Sequence, residues 1–228
     1  MPGCGMIGNI MEIAAYTEAG EFINSGDADV QEFAQKVTGG FGDDVVRAVK
    51  LYYAVRDEIL YDPYYAGAAR RYFRASDCVR AKRGFCIPKA ALLAAAARSV
   101  GIPARVAYAD VRNHLSTKKL IDLMGCDIFI WHSFTELYLE GRWVKATPAF
   151  NLSLCQRFGV HPLEFDGRND SLFHEFDQAG RKHMEYVRER GNYPDVPYEL
   201  IIADFRETYP RWMKMMSEGR RGEFATEV

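Results

Sequence analysis

No stretch of this 228-residue chain approaches the ~20 consecutive apolar residues of a membrane-spanning helix, so no membrane association is expected. The N-terminal run MPGCGMIGNIMEIAAYTEAG lacks a basic leader, and Glu12 interrupts its apolar residues, which argues against a secretory signal. No CxxC pair occurs among the five cysteines (Cys4, Cys78, Cys86, Cys126, Cys155), and their odd number and irregular spacing exclude a disulfide framework or a zinc ribbon as the organising device. A reducing, cytoplasmic location is the expectation. Charge bias is missing too: 29 basic and 31 acidic residues give a net charge of -2, and nothing in that balance points to nucleic acid as a partner. No metal-ligand spacing connects His114, His161, His174 and His183, and Cys126 with His132 is a weak pairing, so neither a metal nor another cofactor is expected. No repeat or low-complexity linker divides the chain, whose 48% hydrophobic content suffices for a substantial core, and one domain spanning 1–228 is expected.

What is present is a clear alternation of patterns. DADVQEFAQKV and GDDVVRAVKLYYAVRDEIL read as amphipathic helices, the second started by Asp43 or Asp44, and YDPYYAGAARRYF reads as an aromatic connection. An alanine- and leucine-rich helix is predicted from Pro88 to Val100, with Pro88 in its first turn and Gly101 and Pro103 ending it. ARVAYADVR reads as a strand and LSTKKLIDLMG as a short helix. DIFIWHSFTELYLEGRWVKATPAF reads as a hairpin turning at Glu140-Gly141. Beyond Asn151, PLEFDGRNDSLFHEFD looks loop-rich and PYELIIADFRETYPRWMKMM reads as a closing helix interrupted near Pro210. Helices followed by antiparallel strands make an α+β fold.

Two groups in this arrangement carry chemistry. Cys86 stands at a predicted helix start and His132 on the first hairpin strand. A free thiol near its reference pKa is only about 3% thiolate at pH 7, and a helix N-terminus supplies only ~0.3–1 kcal/mol toward the anion, so a neighbouring imidazolium would have to provide most of the activation. Isolated cysteines are more often small core residues than nucleophiles; the pairing with His132 distinguishes this one. A two-residue turn at Glu140-Gly141 opposes Leu139 to Arg142, Glu136 to Lys145 and His132 to Ala149, which places Thr147 and Asn151 as diagonal neighbours on the face of His132.

GFCIPKAALLAAAARSVGIPARVAYADVR followed by WHSFTELYLEGRWVKATPAF resembles the core of transglutaminase-like proteins, in the papain-like cysteine-protease superfamily, over about 45–150, with 151–228 as an extension. The resemblance implies a thiol-bearing helix packed on an antiparallel sheet, with Cys86 as nucleophile and His132 as general base. It also implies acyl transfer from an amide or ester carbonyl through a thioester, with release to water or an amine; a small amide or peptide is the expected substrate, and hydrolysis is favoured because nothing in the sequence identifies an amine-acceptor site. The family's third member is an aspartate just before a proline on the second hairpin strand; here Thr147 precedes Pro148. Asn151 is the favoured substitute for orienting the imidazole, as an amide does in papain-like sites, with Asp110, Asp127 and Asp166 as alternatives from elsewhere. For the oxyanion, the backbone N–H of Cys86 is one donor, and Tyr61, Tyr64 and Tyr65 are candidate side chains.

The remaining candidates carry less. The basic run with Arg80, Lys82 and Arg83 could support a thiolate but reads first as a solvated loop, and Trp131, Trp143 and Trp212 read first as core. From position alone, the segment after Asn151 is expected to cap the site. The rival reading, motivated by Thr147, is a non-catalytic binding domain that kept the fold and lost the acid.

Overall fold

The computed structural model describes residues 13–40, 42–114, 116–172, 178–180, 183–218 and 224. Its first two helices form where the sequence supplies caps. Helix α1 (Ala28–Thr38) starts at Asp27, whose carboxylate accepts the Asp29 N–H, and ends at Gly39 with φ 64°. Helix α2 (Asp44–Glu58) starts at Asp43, which accepts from Val46 N, and turns Val45, Ala48, Leu51, Tyr52 and Val55 inward. Strand β1 (Leu60–Tyr61), a 3-10 turn (Arg70–Phe73), helix α3 (Ala75–Ala81) and strand β2 (Arg83–Gly84) follow. The parallel pairing of Tyr61 with Gly84 brings the end of α2 beside the next helix.

That helix, α4 (Cys86–Ser99), is the centre of the molecule. Its run of alanines and leucines is apolar all round, and every residue from Ile87 to Arg98 is buried, as expected for a helix enclosed by other elements. It packs between α1, α2 and α3 on one side and the sheet on the other. Two buried side chains fix it. Lys89 Nζ donates to the carbonyls of Arg56 (3.0 Å) and Ile59 (2.5 Å) at the C-terminal end of α2, and Arg98 donates to the carbonyls of Ala104, Glu18 and Pro194.

The sheet contains β3 (Ala104–Asn113), β4 (Ile128–Leu139), β5 (Arg142–Ala146) and β6 (Met184–Tyr193), ordered β5-β4-β3-β6 and antiparallel throughout, so the expected α+β arrangement is what forms. Helix α5 (Lys118–Met124) bridges β3 and β4, and α6 (Leu152–Phe158) follows β5. Glu140 (φ 49°) and Gly141 (φ 84°) both adopt left-handed conformations, the requirement of a tight hairpin turn, and Leu139 opposes Arg142 and Glu136 opposes Lys145 as expected. The ladder then stops at Thr135–Ala146. Thr147 N–H donates instead to Ser171 O (2.9 Å), so the expected pairing of His132 with Ala149 does not form.

The closing segment is two helices, α7 (Tyr198–Thr208) and α8 (Pro210–Ser217), broken where Pro210 opens a new first turn. Strand β6 has no counterpart in the sequence reading. MEYVRERGNY is a largely exposed edge strand with two register shifts against β3, and its charges conceal a strand period. Helices α3 and α6 were likewise not anticipated; at seven residues each they are too short to show helical periodicity. Among the described residues no helix is long and apolar enough to cross a membrane.

Candidate active site

Cys86 is the first residue of α4, half-buried, and lines a cavity of about 60 Å³ together with His132. Thr135 Oγ1 donates to Ala90 O at 2.8 Å, tying the strand that carries His132 to the helix that carries Cys86. The backbone N–H groups of Ser133, Ile87 and Cys86 point toward the thiol and favour its anion, yet burial outweighs them and pushes the thiol up to about 11. Burial pushes the His132 imidazole down to about 4. Both groups are therefore uncharged at neutral pH, and the expected thiolate–imidazolium pair is not the resting form: an apolar enclosure disfavours each charge.

The position of His132 depends on a bulge that the sequence does not announce. Along β4 the register against β3 shifts between Ala109, which opposes His132, and Val111, which opposes Phe129. Trp131, next to His132, takes φ 57°, an uncommon conformation for a bulky residue. An ionic network, buried at Asp110 and half-exposed at Asp204, holds it there. Asp110 Oδ1 accepts the Trp131 N–H (3.0 Å) and Arg190 Nε (2.5 Å); Asp204 Oδ2 accepts Trp131 Nε1 (2.8 Å) and Arg190 Nη1 (2.5 Å). The guanidinium carbon also lies 4.5 Å from the Trp131 ring centroid. Arg190 comes from β6 and Asp204 from α7, so the segment after Asn151 helps to frame the imidazole.

The other side of His132 faces a second, smaller cavity lined by Thr147, His161 and His183 among others. His132 Nε2 and Thr147 Oγ1 are both buried without a hydrogen-bond partner among the described residues. Asn151 does not take the role expected of it. Its Oδ1 accepts the Tyr61 N–H at 3.0 Å and its Nδ2 donates to Ser153 Oγ at 2.7 Å, because the chain has already left the sheet and turns into α6 at this residue. The remote acids are engaged as well: Asp110 in the Trp131 network, Asp127 with Arg112 (3.0 Å), and Asp166 in a turn with the backbone N–H groups of Asn169 and Arg168, which holds its carboxyl at about 2. Of the five candidate orienters, Thr147, Asn151, Asp110, Asp127 and Asp166, Thr147 alone shares a cavity with the imidazole.

Of the candidate tyrosines, Tyr61 lines the Cys86 cavity, brought there by the β1–β2 pairing, and burial beside Cys86 pushes its phenol up. Tyr64 and Tyr65 do not line it; Tyr65 stands edge-on to Tyr72. The remaining wall includes Leu120 and Met124 from α5 and Phe205, Tyr209 and Trp212 from the C-terminal segment, which thus contributes part of the cavity that Cys86 lines. Arg80 pairs with Asp27 and Asp29, and Arg83 reaches Asp62 at 3.5 Å; neither lines the cavity, which leaves the basic run on the surface. His114 sits 3.7 Å from Glu185, and His174 falls outside the described residues. No cluster of histidine, cysteine and carboxylate suited to a metal occurs among the described residues.

A family model described as the transglutaminase-like superfamily matches residues 31–148, more than half of the chain. A crystal structure described as a candidate cysteine protease from Cytophaga hutchinsonii superposes with a TM-score of 0.51 at 17% identity, covering 81% of this chain. The match takes in 47% of that protein, so the chain spans a little under half of its length. A search of curated proteins finds no match.

Proposed function

The chain belongs to the transglutaminase-like superfamily, and on that premise we propose that it is a cysteine-dependent acyl-transfer enzyme that hydrolyses an amide or peptide-like bond. The supporting observation is that Cys86, at the start of the central helix, and His132, on the bulged strand, open into one cavity. Cys86 Sγ bonds to the acyl carbon while His132 takes the thiol proton. The C–N bond then breaks and His132 returns that proton to the departing amine. Water, deprotonated by His132, cleaves the thioester, releasing the carboxylic acid and restoring the thiol. In this reading the N–H groups at the start of α4 and the hydroxyl of Tyr61, which lines the same cavity, stabilise the oxyanion.

Because thiol and imidazole rest uncharged, proton transfer accompanies attack rather than preceding it. Thr147, sharing a cavity with His132, is the orienter this reading now prefers over Asn151. A hydroxyl can fix the ring, but its hydrogen bond is about half as strong as a carboxylate's and leaves the imidazolium unbalanced.

The same two features favour a second reading, a non-catalytic binding domain: the acid position holds Thr147, and the thiol is not activated at rest. Turnover of nitrophenyl esters and anilides by the protein and its Cys86→Ala and His132→Ala variants separates the two. The enzyme reading expects each substitution to lower turnover by about 10³ or more. Equal rates in all three proteins would favour the binding domain.

A further inference from the structure

The walls of the Cys86 cavity carry information about what the thiol meets. Leu120, Met124, Phe129, Ile130, Phe205 and Trp212 contribute apolar surface from three directions. Among the described residues no aspartate, glutamate, lysine or arginine lines it. Polar atoms are few: Cys86, His132 and the hydroxyls of Tyr61 and Tyr209. The last of these is already used, since it accepts the Ile130 N–H at 2.6 Å and donates to Ile128 O at 2.7 Å. A charged substituent entering here would lose its hydration without gaining a counter-ion.

Size adds a second constraint. The cavity, which opens on one side to solvent, holds about 60 Å³, well below the roughly 150 Å³ of an apolar cavity that admits benzene. We infer that this cavity is an acyl subsite for a short, uncharged, apolar acyl group of about two to five carbons, with Met124 and Trp212 among the side chains that line it. The inference rests on Cys86 being the reacting group, and it names the substrate class that the proposed hydrolysis would accept.

Alkyl methanethiosulfonates test the subsite without requiring turnover. Cys86 Sγ attacks the reagent's divalent sulfur, forming a Cys86–S–S–alkyl disulfide and releasing methanesulfinate, while the thiol proton passes to solvent. Rates at Cys86, followed by peptide mass spectrometry and normalised to the urea-unfolded chain, should rise about fourfold per methylene from methyl to propyl. They should fall for benzyl, and the anionic sulfonatoethyl reagent should react at least about tenfold more slowly than ethyl. Met124→Ala should move the optimum to longer chains. A charged or benzyl reagent matching propyl, or an unchanged optimum in Met124→Ala, would overturn the inference.

Nitrophenyl acetate, butyrate, hexanoate and hemisuccinate supply the second arm. Short-chain preference in disulfide formation with no ester turnover upholds the subsite and removes the enzyme reading. Turnover that ignores chain length, or prefers the hemisuccinate, removes the subsite and leaves the enzyme reading standing.

Discussion

The nucleophile and its base are held by frames of opposite character. Cys86 stands on an alanine-rich helix fixed by apolar packing and by two buried basic side chains, Lys89 and Arg98, that meet backbone carbonyls rather than carboxylates. His132 stands beside a strained bulge fixed by an ion network, Asp110–Arg190–Asp204, around Trp131. Lys89 and the carbonyls it meets lie within residues 31–148, the part that matches the family, while Arg98 reaches Glu18 O and Pro194 O outside it; Arg190 and Asp204 of the second frame lie beyond residue 148. The nucleophile's place is thus set mainly within the matched core, whereas the charged groups that frame the base come in part from residues after it.

Removing one partner from the base frame should have the largest effect. Asp110→Ala removes one of the two carboxylates that pair with Arg190, the more deeply buried one, and frees the Trp131 N–H, at an expected cost of about 3–5 kcal/mol in urea unfolding. Asp110→Asn retains an acceptor, and its loss should fall on kcat with little change in KM. A KM effect alone would mean that the network does not position His132.

Acid should be the next most damaging change. The folded pKa of His132 lies near 4, below its unfolded value of 6.5, so the unfolded chain binds the extra proton between them. Stability is present above pH 6.5 and lost as pH falls toward 4, by up to about 3 kcal/mol. In His132→Gln that part of the slope should vanish; an unchanged slope would place the titration elsewhere.

On the nucleophile side, Lys89→Met removes the donor to Arg56 O and Ile59 O and should cost about 1–3 kcal/mol. Burial also depresses Lys89 from its ordinary 10.5 to about 7, so the unfolded chain binds the extra proton between those values: the cost of Lys89→Met should shrink as pH falls from about 10.5 to 7 and stay constant below that. If Lys89→Met lowers kcat as much as Asp110→Asn does, the contrast between the two frames collapses.

The smallest expected changes concern the orienter. Thr147→Asp places a carboxylate in the cavity beside His132 and should raise the acid limb of the pH–rate profile by about one unit or more, whereas Thr147→Val should not move it. Asn151→Ala should reduce turnover less than Thr147→Val, since the Asn151 amide serves Tyr61 and Ser153. A larger loss from Asn151→Ala would restore it as the partner of His132.

What could be read from the sequence was local. The alanine–leucine run specified the central helix to within two residues of its start, and Glu140-Gly141 specified the turn and register of the hairpin. What escaped depends on contacts distant in sequence. The second strand ends at Ala146 because Ser171 captures Thr147, and Asn151 turns away because Tyr61 holds its amide. Neither event leaves a periodic signal. Trp131's left-handed conformation is equally silent, since the Asp110 and Arg190 side chains that stabilise it come from strands β3 and β6, the latter unrecognised under its charges. The electrostatic expectation failed for a related reason: spacing can pair a thiol with an imidazole but cannot show that their shared cavity is apolar.

Intact-protein mass spectrometry after rapid mixing with nitrophenyl butyrate tests the assignment of nucleophile and base most directly. The account expects a transient butyryl adduct on Cys86 that disappears as butyrate is released, is absent in Cys86→Ala, and forms far more slowly in His132→Ala. An adduct on another residue, or one forming on Cys86 equally fast without His132, would contradict it.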